Sequence, residues 1–237
     1  MNVFRSFNFG KIIKIVLPGF FSLMGIIFLF DSLTSYILGE NVCLNFTKSN
    51  SAVSVLLSIP LTLVFGMTCN TIFFLFISNR WFVKWFSSTY PNIASLKTIV
   101  FAEITDNILS NLNFTDSTKT KLKEGGNTSG FLIGYIDLEC FSFLQESYWN
   151  YFEYHVNMFL SSIICLGGSI AWSFSQKFIQ NFSTYEIIPI LITYVGSWLI
   201  YAFITIKAAR LNYYKFQVKQ LSYFSSLITK TTSEHVG

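Results

Sequence analysis

Residues 52–77 read AVSVLLSIPLTLVFGMTCNTIFFLFI, twenty-six consecutive residues without an Asp, Glu, Lys or Arg. A helix needs about 20 predominantly apolar residues to cross the hydrocarbon core of a bilayer. The run is long enough and free enough of charge to predict a transmembrane helix.

Three further stretches have the same character, at about 12–30, 156–174 and 187–206, and Lys14 is the one charged residue within them. We therefore predict an all-α polytopic membrane protein with four transmembrane helices and a helical cytosolic segment between helices 2 and 3. A cleaved signal peptide is the alternative for the first stretch, but residues 31–40 lack a convincing small-x-small cleavage site.

The composition agrees with a membrane protein. Of 237 residues, 52% are hydrophobic and 12% are charged, whereas a soluble domain has about 25% charged residues. This excludes an ordinary soluble domain and a disordered chain. Four cysteines match no metal or disulfide spacing, and there are two histidines, so we predict no metal site and no cofactor.

The apolar runs divide the chain into four parts. Residues 1–77 form one transmembrane hairpin, 78–155 the cytosolic helical segment, 156–206 a second hairpin, and 207–237 a cytosolic C-terminal helix and tail. Apolar residues at spacings of three and four predict an amphipathic helix over 92–112.

The distribution of positive charge predicts the orientation. Fourteen of the sixteen Lys and Arg residues lie on one side of the predicted spans; Lys48 and Lys177 are the exceptions. Cytoplasmic loops carry the excess of Lys and Arg, so we expect a multi-pass inner or plasma membrane protein with both termini in the cytosol. The net charge of +4 follows from this bias and gives no reason to expect a nucleic-acid partner.

Small and polar residues within the spans predict close helix packing, with the bilayer and further copies of the chain as partners. Small residues let helix backbones approach closely, and polar ones bond across helices or line a pore. The amide of Asn70 needs a partner in hydrocarbon, which is either a helix contact within the chain or a pore lining or subunit interface. The candidate packing or pore-lining residues are Gly66, Asn70, Ser161, Cys165, Ser169, Ser173 and Gly196.

Two charged groups flank the second hairpin. Glu139, Glu146 and Glu153 are spaced by seven, so they share one face of a continuous α-helix. This cytosolic acidic face either collects cations, for example around a vestibule in an oligomer, or is a solvated face opposite packed aromatic residues. The cytosolic basic tail either binds anionic headgroups or pairs with the acidic face, which we favour. Its residues are Lys207, Arg210, Lys215 and Lys219.

Three short features carry a family resemblance. They are the pair Pro18–Gly19, the residues Tyr154, His155 and Asn157 within EYHVN, and the tail residues Arg210, Tyr213, Tyr214 and Phe216. In these features the chain resembles small bacterial four-span membrane proteins of unknown function that are encoded near antiphage or CRISPR-type defence genes. The resemblance implies a defence-associated membrane component.

No hydrolase, metalloprotease, P-loop or dinucleotide-binding motif is present in the sequence, so we predict no catalytic residues. The leading hypothesis is a non-enzymatic oligomer, a pore-like effector that alters membrane permeability. One alternative is a sensor or scaffold that recruits a cytosolic protein through 78–155. Another is a lipid-handling enzyme or transporter.

Overall fold

The regular elements are helical throughout the described part of the computed structural model. The structure describes residues 9–77, 142–180 and 184–234, together with 99, 102–103, 106, 115–117 and 119–120. Within these residues the architecture is all-α, which confirms the predicted fold class.

The helix bounds begin with α1 at Phe9–Leu38, α2 at Val42–Ser49 and α3 at Ser51–Ile77. A π-helical turn, Gln145–Trp149, leads directly into α4 at Asn150–Gln180, and α5 covers Thr184–Glu234. α1 and α2 are joined through Gly39, whose φ of 72° is a left-handed conformation that favours glycine.

Four helices are long and apolar enough to cross a membrane: Ile13–Leu38, Ser51–Leu75, Ser142–Gln176 and Ile187–Tyr223. The four predicted runs each fall on one of them. The chain is therefore a four-span helical membrane protein, and α3 and α5 expose many large apolar side chains.

The helix ends differ from the predicted spans at two acidic residues. α1 continues past Asp31 to Leu38, beyond the predicted span 12–30, and the segment between the first two predicted spans also contains α2. α4 begins before Glu153. Both carboxylates are buried and hydrogen-bonded to neighbouring elements. Neither carboxylate therefore marks the end of a helix.

The chain divides into two compact units, Met1–Arg80 with Asn150–Ala209, and Trp81–Trp149 with Arg210–Gly237. In the second unit, the rings of Trp149 and Phe216 lie 5.2 Å apart between centroids. The first unit contains α1, α2, α3, all of α4 and the first part of α5.

Contacts in the first unit give the helix directions. Lys14 contacts Glu153 and Ser32 donates to the carbonyl of Ala171, so α1 and α4 run parallel. α5 runs antiparallel to α4, since its Trp198 donates to Ser162 while the earlier Tyr194 bonds to the later Ser169. These two contacts are 3.1 and 3.0 Å long. α3 also runs antiparallel to α4, through the pairs Asn70–Asn157 and Phe73–Phe152.

Two glycine contacts bring α1 against its neighbours. A Cβ added to Gly19 would overlap the backbone of Thr62 on α3, and one added to Gly168 would overlap the backbone of Gly25. Small residues at such crossings let helices pack backbone to backbone. α1 is therefore held closely by both α3 and α4.

Candidate functional site

A buried ion pair joins the N-terminal parts of α1 and α4. The ammonium of Lys14 bonds to Oε2 of Glu153 and lies 3.4 Å from Oδ1 of Asn150. Glu153 is 2% exposed and the Lys14 side chain 15%. Burying a carboxylate costs free energy unless it is paired and hydrogen-bonded. Here Glu153 on α4 is paired with Lys14 on α1.

Buried amides continue the polar environment one turn further along α4. Asn157 is fully buried, and its Nδ2 donates to Oδ1 of Asn70 on α3 at 3.0 Å. Oδ1 of Asn157 accepts no hydrogen bond from the residues that the structure describes. An orphaned amide oxygen inside a membrane protein needs an explanation.

These residues form a polar seam, defined as Lys14, Asn70, Asn150, Glu153, Asn157 and Ser161. The four members on α4 are separated by three, four and four residues, which is the spacing of one helix face. All four are buried, and α1 and α3 supply Lys14 and Asn70. The seam belongs to helices that can span the membrane.

A second polar cluster lies at the other end of α1. The carboxylate of Asp31 accepts from the backbone N–H groups of Cys43 and Leu44 at 2.6 and 3.1 Å. These are free donors in the first turn of α2, so Asp31 acts as a cap supplied by another helix. Burial, and then the adjacent Asp31 charge and hydrogen bond, raise the pKa of the Cys43 thiol.

A hydrogen bond between two side-chain amides connects this cluster to α4. Nε2 of Gln176 donates to Oδ1 of Asn41 at 3.0 Å, and the hydroxyl of Ser35 donates to the same oxygen at 2.7 Å. These two hydrogen bonds hold Asn41, the residue before α2, against both α1 and α4.

The middle of the predicted stripe on α4 contacts α5. The Cys165 thiol and the Ser169 hydroxyl lie 3.9 and 3.0 Å from the Tyr194 hydroxyl, Ser161 is buried, and Ser173 donates to its own helix. A step of four residues turns an α-helix by about 400°, so a stripe at that spacing drifts about 40° per step. The two ends of the stripe therefore point in different directions around α4.

The remaining packing candidates have different surroundings. A Cβ on Gly66 would overlap the backbone of Ile15, so this glycine belongs to the α1–α3 contact. Asn70 makes the within-chain contact with Asn157. At Gly196 a Cβ would meet nothing within 4 Å, so the structure brings no described neighbour against it.

The acidic residues that the structure describes do not share one solvated face. Glu146 is exposed and Glu153 is buried beside Lys14, a partner that the seven-residue spacing did not indicate. The π-helical turn Gln145–Trp149, which contains Glu146, breaks the α-helical register on which the shared face depended. Glu139 lies outside the described residues.

Within the basic tail, Lys207, Lys215 and Lys219 are exposed and Arg210 is partly buried. The ammonium of Lys207 lies 6.0 Å from the centre of the Phe203 ring, a position typical of an aromatic and a cation at the edge of a bilayer.

The chain matches no protein-family model, no curated protein and no solved structure. A functional assignment therefore depends on the chain's own geometry. The sequence did not single out Lys14, Asp31 or Asn157 as site residues. Lys14 and Asp31 looked like the ends of an apolar run, and what distinguishes them is burial against partners more than ten residues away.

Proposed function

We propose that this protein is a non-enzymatic, oligomeric membrane protein that changes membrane permeability, as a pore-like effector in a stress or antiphage response. It crosses the inner membrane four times with both termini in the cytosol. The polar seam carries the proposal, because charged side chains within transmembrane helices are costly and typically mark ion pathways or gates.

In this proposal, the observed arrangement is the closed state. The Lys14–Glu153 pair ties α1 to α4 and neutralises both charges. Breaking a buried pair leaves an uncompensated charge that demands water. The pair is thus suited to act as a latch whose release admits water to the seam.

Pro18 provides a hinge close to this latch. It lies inside α1, four residues after Lys14. Proline has no N–H, so the carbonyl of Lys14 lacks its usual helical hydrogen bond. The turn that carries Lys14 is therefore less restrained than the rest of α1, which favours its movement away from Glu153.

The outer surface of α5 supports an oligomer. It exposes apolar side chains, and the open position at Gly196 lies among them. A small residue on a lipid-facing helix permits close approach of a second helix. Native mass spectrometry from detergent micelles tests this part, and a protein found solely as a monomer would contradict it.

Reconstitution into liposomes tests the permeability proposal. Lys14→Gln and Glu153→Gln should each increase the release of a small entrapped fluorescent solute, because each removes one half of the latch. A loss of about 1.4 kcal/mol from the closed state raises the open-to-closed ratio about tenfold. The double variant Lys14→Glu/Glu153→Lys should return the release rate toward that of the unmodified protein.

Glu146→Gln is the matched control, since it neutralises an exposed carboxylate seven residues before Glu153. It should leave the release rate unchanged. If liposomes containing Lys14→Gln or Glu153→Gln release the solute no faster than protein-free liposomes, the proposed function is refuted.

A further inference from the structure

The membrane-spanning helix α3 exposes a face with a regular spacing. Leu63, Met67, Asn70 and Phe74 are separated by four, three and four residues, the spacing by which one helix packs along a second helix in coiled coils and most transmembrane bundles. The three apolar members are 43, 61 and 48% exposed, and Asn70 is partly buried among them. These four residues, here named the α3 face, form a packing surface that a single chain leaves largely uncovered.

Asn70 lies on the α3 face with its hydrogen bonds incomplete. Its Oδ1 accepts from Asn157 at 3.0 Å, whereas its Nδ2 donates to none of the residues that the structure describes. The exposed hydroxyls of Thr68 and Thr71 donate to carbonyls of α3 itself, so they need no partner from outside the helix. The amide of Asn70 has no such solution within the described chain.

Neither lipid nor water supplies the missing acceptor at this depth. Asn70 precedes the end of the apolar run at Ile77 by seven residues, or about 10 Å along a helix. The hydrocarbon core holds no water, and acyl tails have no hydrogen-bond acceptor, so an unpaired amide there costs free energy. A polar group on another transmembrane helix is the remaining source of an acceptor.

A second copy of the chain carries a complementary group. A carboxamide has an N–H of positive partial charge and an oxygen of negative partial charge, so two of them can exchange hydrogen bonds. All copies have the same orientation in the membrane, because the same charge bias directs each of them. Two α3 helices related by a two-fold axis along the membrane normal therefore run parallel, and each Asn70 meets its own counterpart.

We propose that two copies pack along the α3 face, with Nδ2 of each Asn70 donating to Oδ1 of the other. Each oxygen then accepts two hydrogen bonds, one from Asn157 and one from the second copy, which matches its two lone pairs. Leu63, Met67 and Phe74 supply the apolar contacts around the amides. The inference deepens the proposed function, on whose oligomeric state it rests, by naming a face and a residue through which copies meet.

Cysteine cross-linking in membranes tests the contact. Met67→Cys places a thiol on the α3 face, and oxidation with copper phenanthroline should convert most of this variant to a covalent dimer on denaturing gels. Thr68→Cys is the matched control, because position 68 is exposed at nearly the same depth but lies about 100° around the helix. It should give no more dimer than the unmodified protein. Equal dimer formation by the two variants would overturn the proposal.

Variants of Asn70 test the hydrogen bond within this contact. In the Met67→Cys background, Asn70→Leu should lower the fraction of cross-linked dimer about fivefold, as expected from the strength of hydrogen bonds between transmembrane helices. Asn70→Gln keeps both amide groups and should retain most of the dimer. Equal cross-linking of these two variants would overturn the role of Asn70. The comparison of Met67→Cys with Thr68→Cys does not depend on how either Asn70 variant folds.

Both measurements report the contact between copies, so they are independent of solute release. Cross-linking through position 67 without solute release would retain the α3 contact and refute the pore. Solute release without cross-linking through position 67 would retain the pore and refute the α3 contact.

Discussion

Asp31 shows how one side chain can determine a local structure at the residue scale. It is fully buried, and both carboxylate oxygens accept backbone N–H groups of α2. Loss of a helix cap costs about 0.5–2 kcal/mol. The short helix α2 has no buried residue of its own, so this cap and the Asn41 contacts hold it in position.

Replacing Asp31 by Asn should lower the midpoint pH for alkylation of Cys43. The nearby negative charge disfavours the thiolate and adds to the effect of burial in raising the Cys43 pKa. Removing the charge leaves the contribution of burial, so the midpoint should fall part of the way toward that of an ordinary thiol. Iodoacetamide labelling over a pH series, with the site identified by mass spectrometry, measures it.

Glu40→Gln is the control for this measurement. Glu40 is an exposed carboxylate three residues from Cys43, and solvent screens its charge. Its replacement should leave the midpoint nearly unchanged. If the two variants shift the midpoint equally, the carboxylate of Asp31 has no specific effect on Cys43.

At the scale of the element, α1 is positioned by backbone contacts that only glycine permits. Gly168→Ala should lower the stability of the folded protein, because the added methyl group meets the backbone of Gly25. Overpacking at a rigid contact costs about 1–3 kcal/mol. Thermal unfolding in detergent, followed by the fluorescence of the tryptophans, measures the loss.

The adjacent Gly167 supplies the matched control. A Cβ there meets nothing within 4 Å, and alanine is favoured over glycine in a helix by about 1 kcal/mol. Gly167→Ala should therefore be neutral or stabilising. Equal destabilisation by both substitutions would show that the α1–α4 contact is not the cause.

The helices themselves could be predicted from the sequence, whereas their ends could not. An apolar run without charge has no alternative to a span, as residues 52–77 illustrate. Asp31 looked like the limit of such a run because a carboxylate in hydrocarbon is unfavourable, whereas Glu153 was expected on a helix that continues into the third span. Their burial depends on donors from Cys43, Leu44 and Lys14, which local sequence does not reveal.

The candidate site was predicted in part for the same reason. The need of Asn70 for a partner follows from its surroundings, but the choice of Asn157 depends on the helix register. The stripe from Ser161 to Ser173 has the right composition, but the sequence did not indicate that Cys165 and Ser169 in its middle contact Tyr194 of α5. Composition indicates which residues can pack, and only the three-dimensional arrangement indicates against which neighbour.

At the scale of the whole molecule, four spans and the positive bias predict a topology that can be measured. Epitope tags at the N-terminus and at the C-terminus should both resist protease added to spheroplasts. A tag inserted beside the exposed Asn50, between α2 and α3, should be removed. Cleavage of one terminal tag and protection of the other would contradict the four-span topology.

The backbone contact of Gly25 with Gly168 separates the polar seam from the cluster around Asp31. No side chain from either glycine fills this crossing, so the two main chains themselves meet there. If the proposed pore follows these helices, water entering from each membrane face would stop at this crossing, much as a hydrophobic constriction gates a channel by dewetting. Permeation along that route would then require α1 and α4 to part here, in addition to any opening at either mouth.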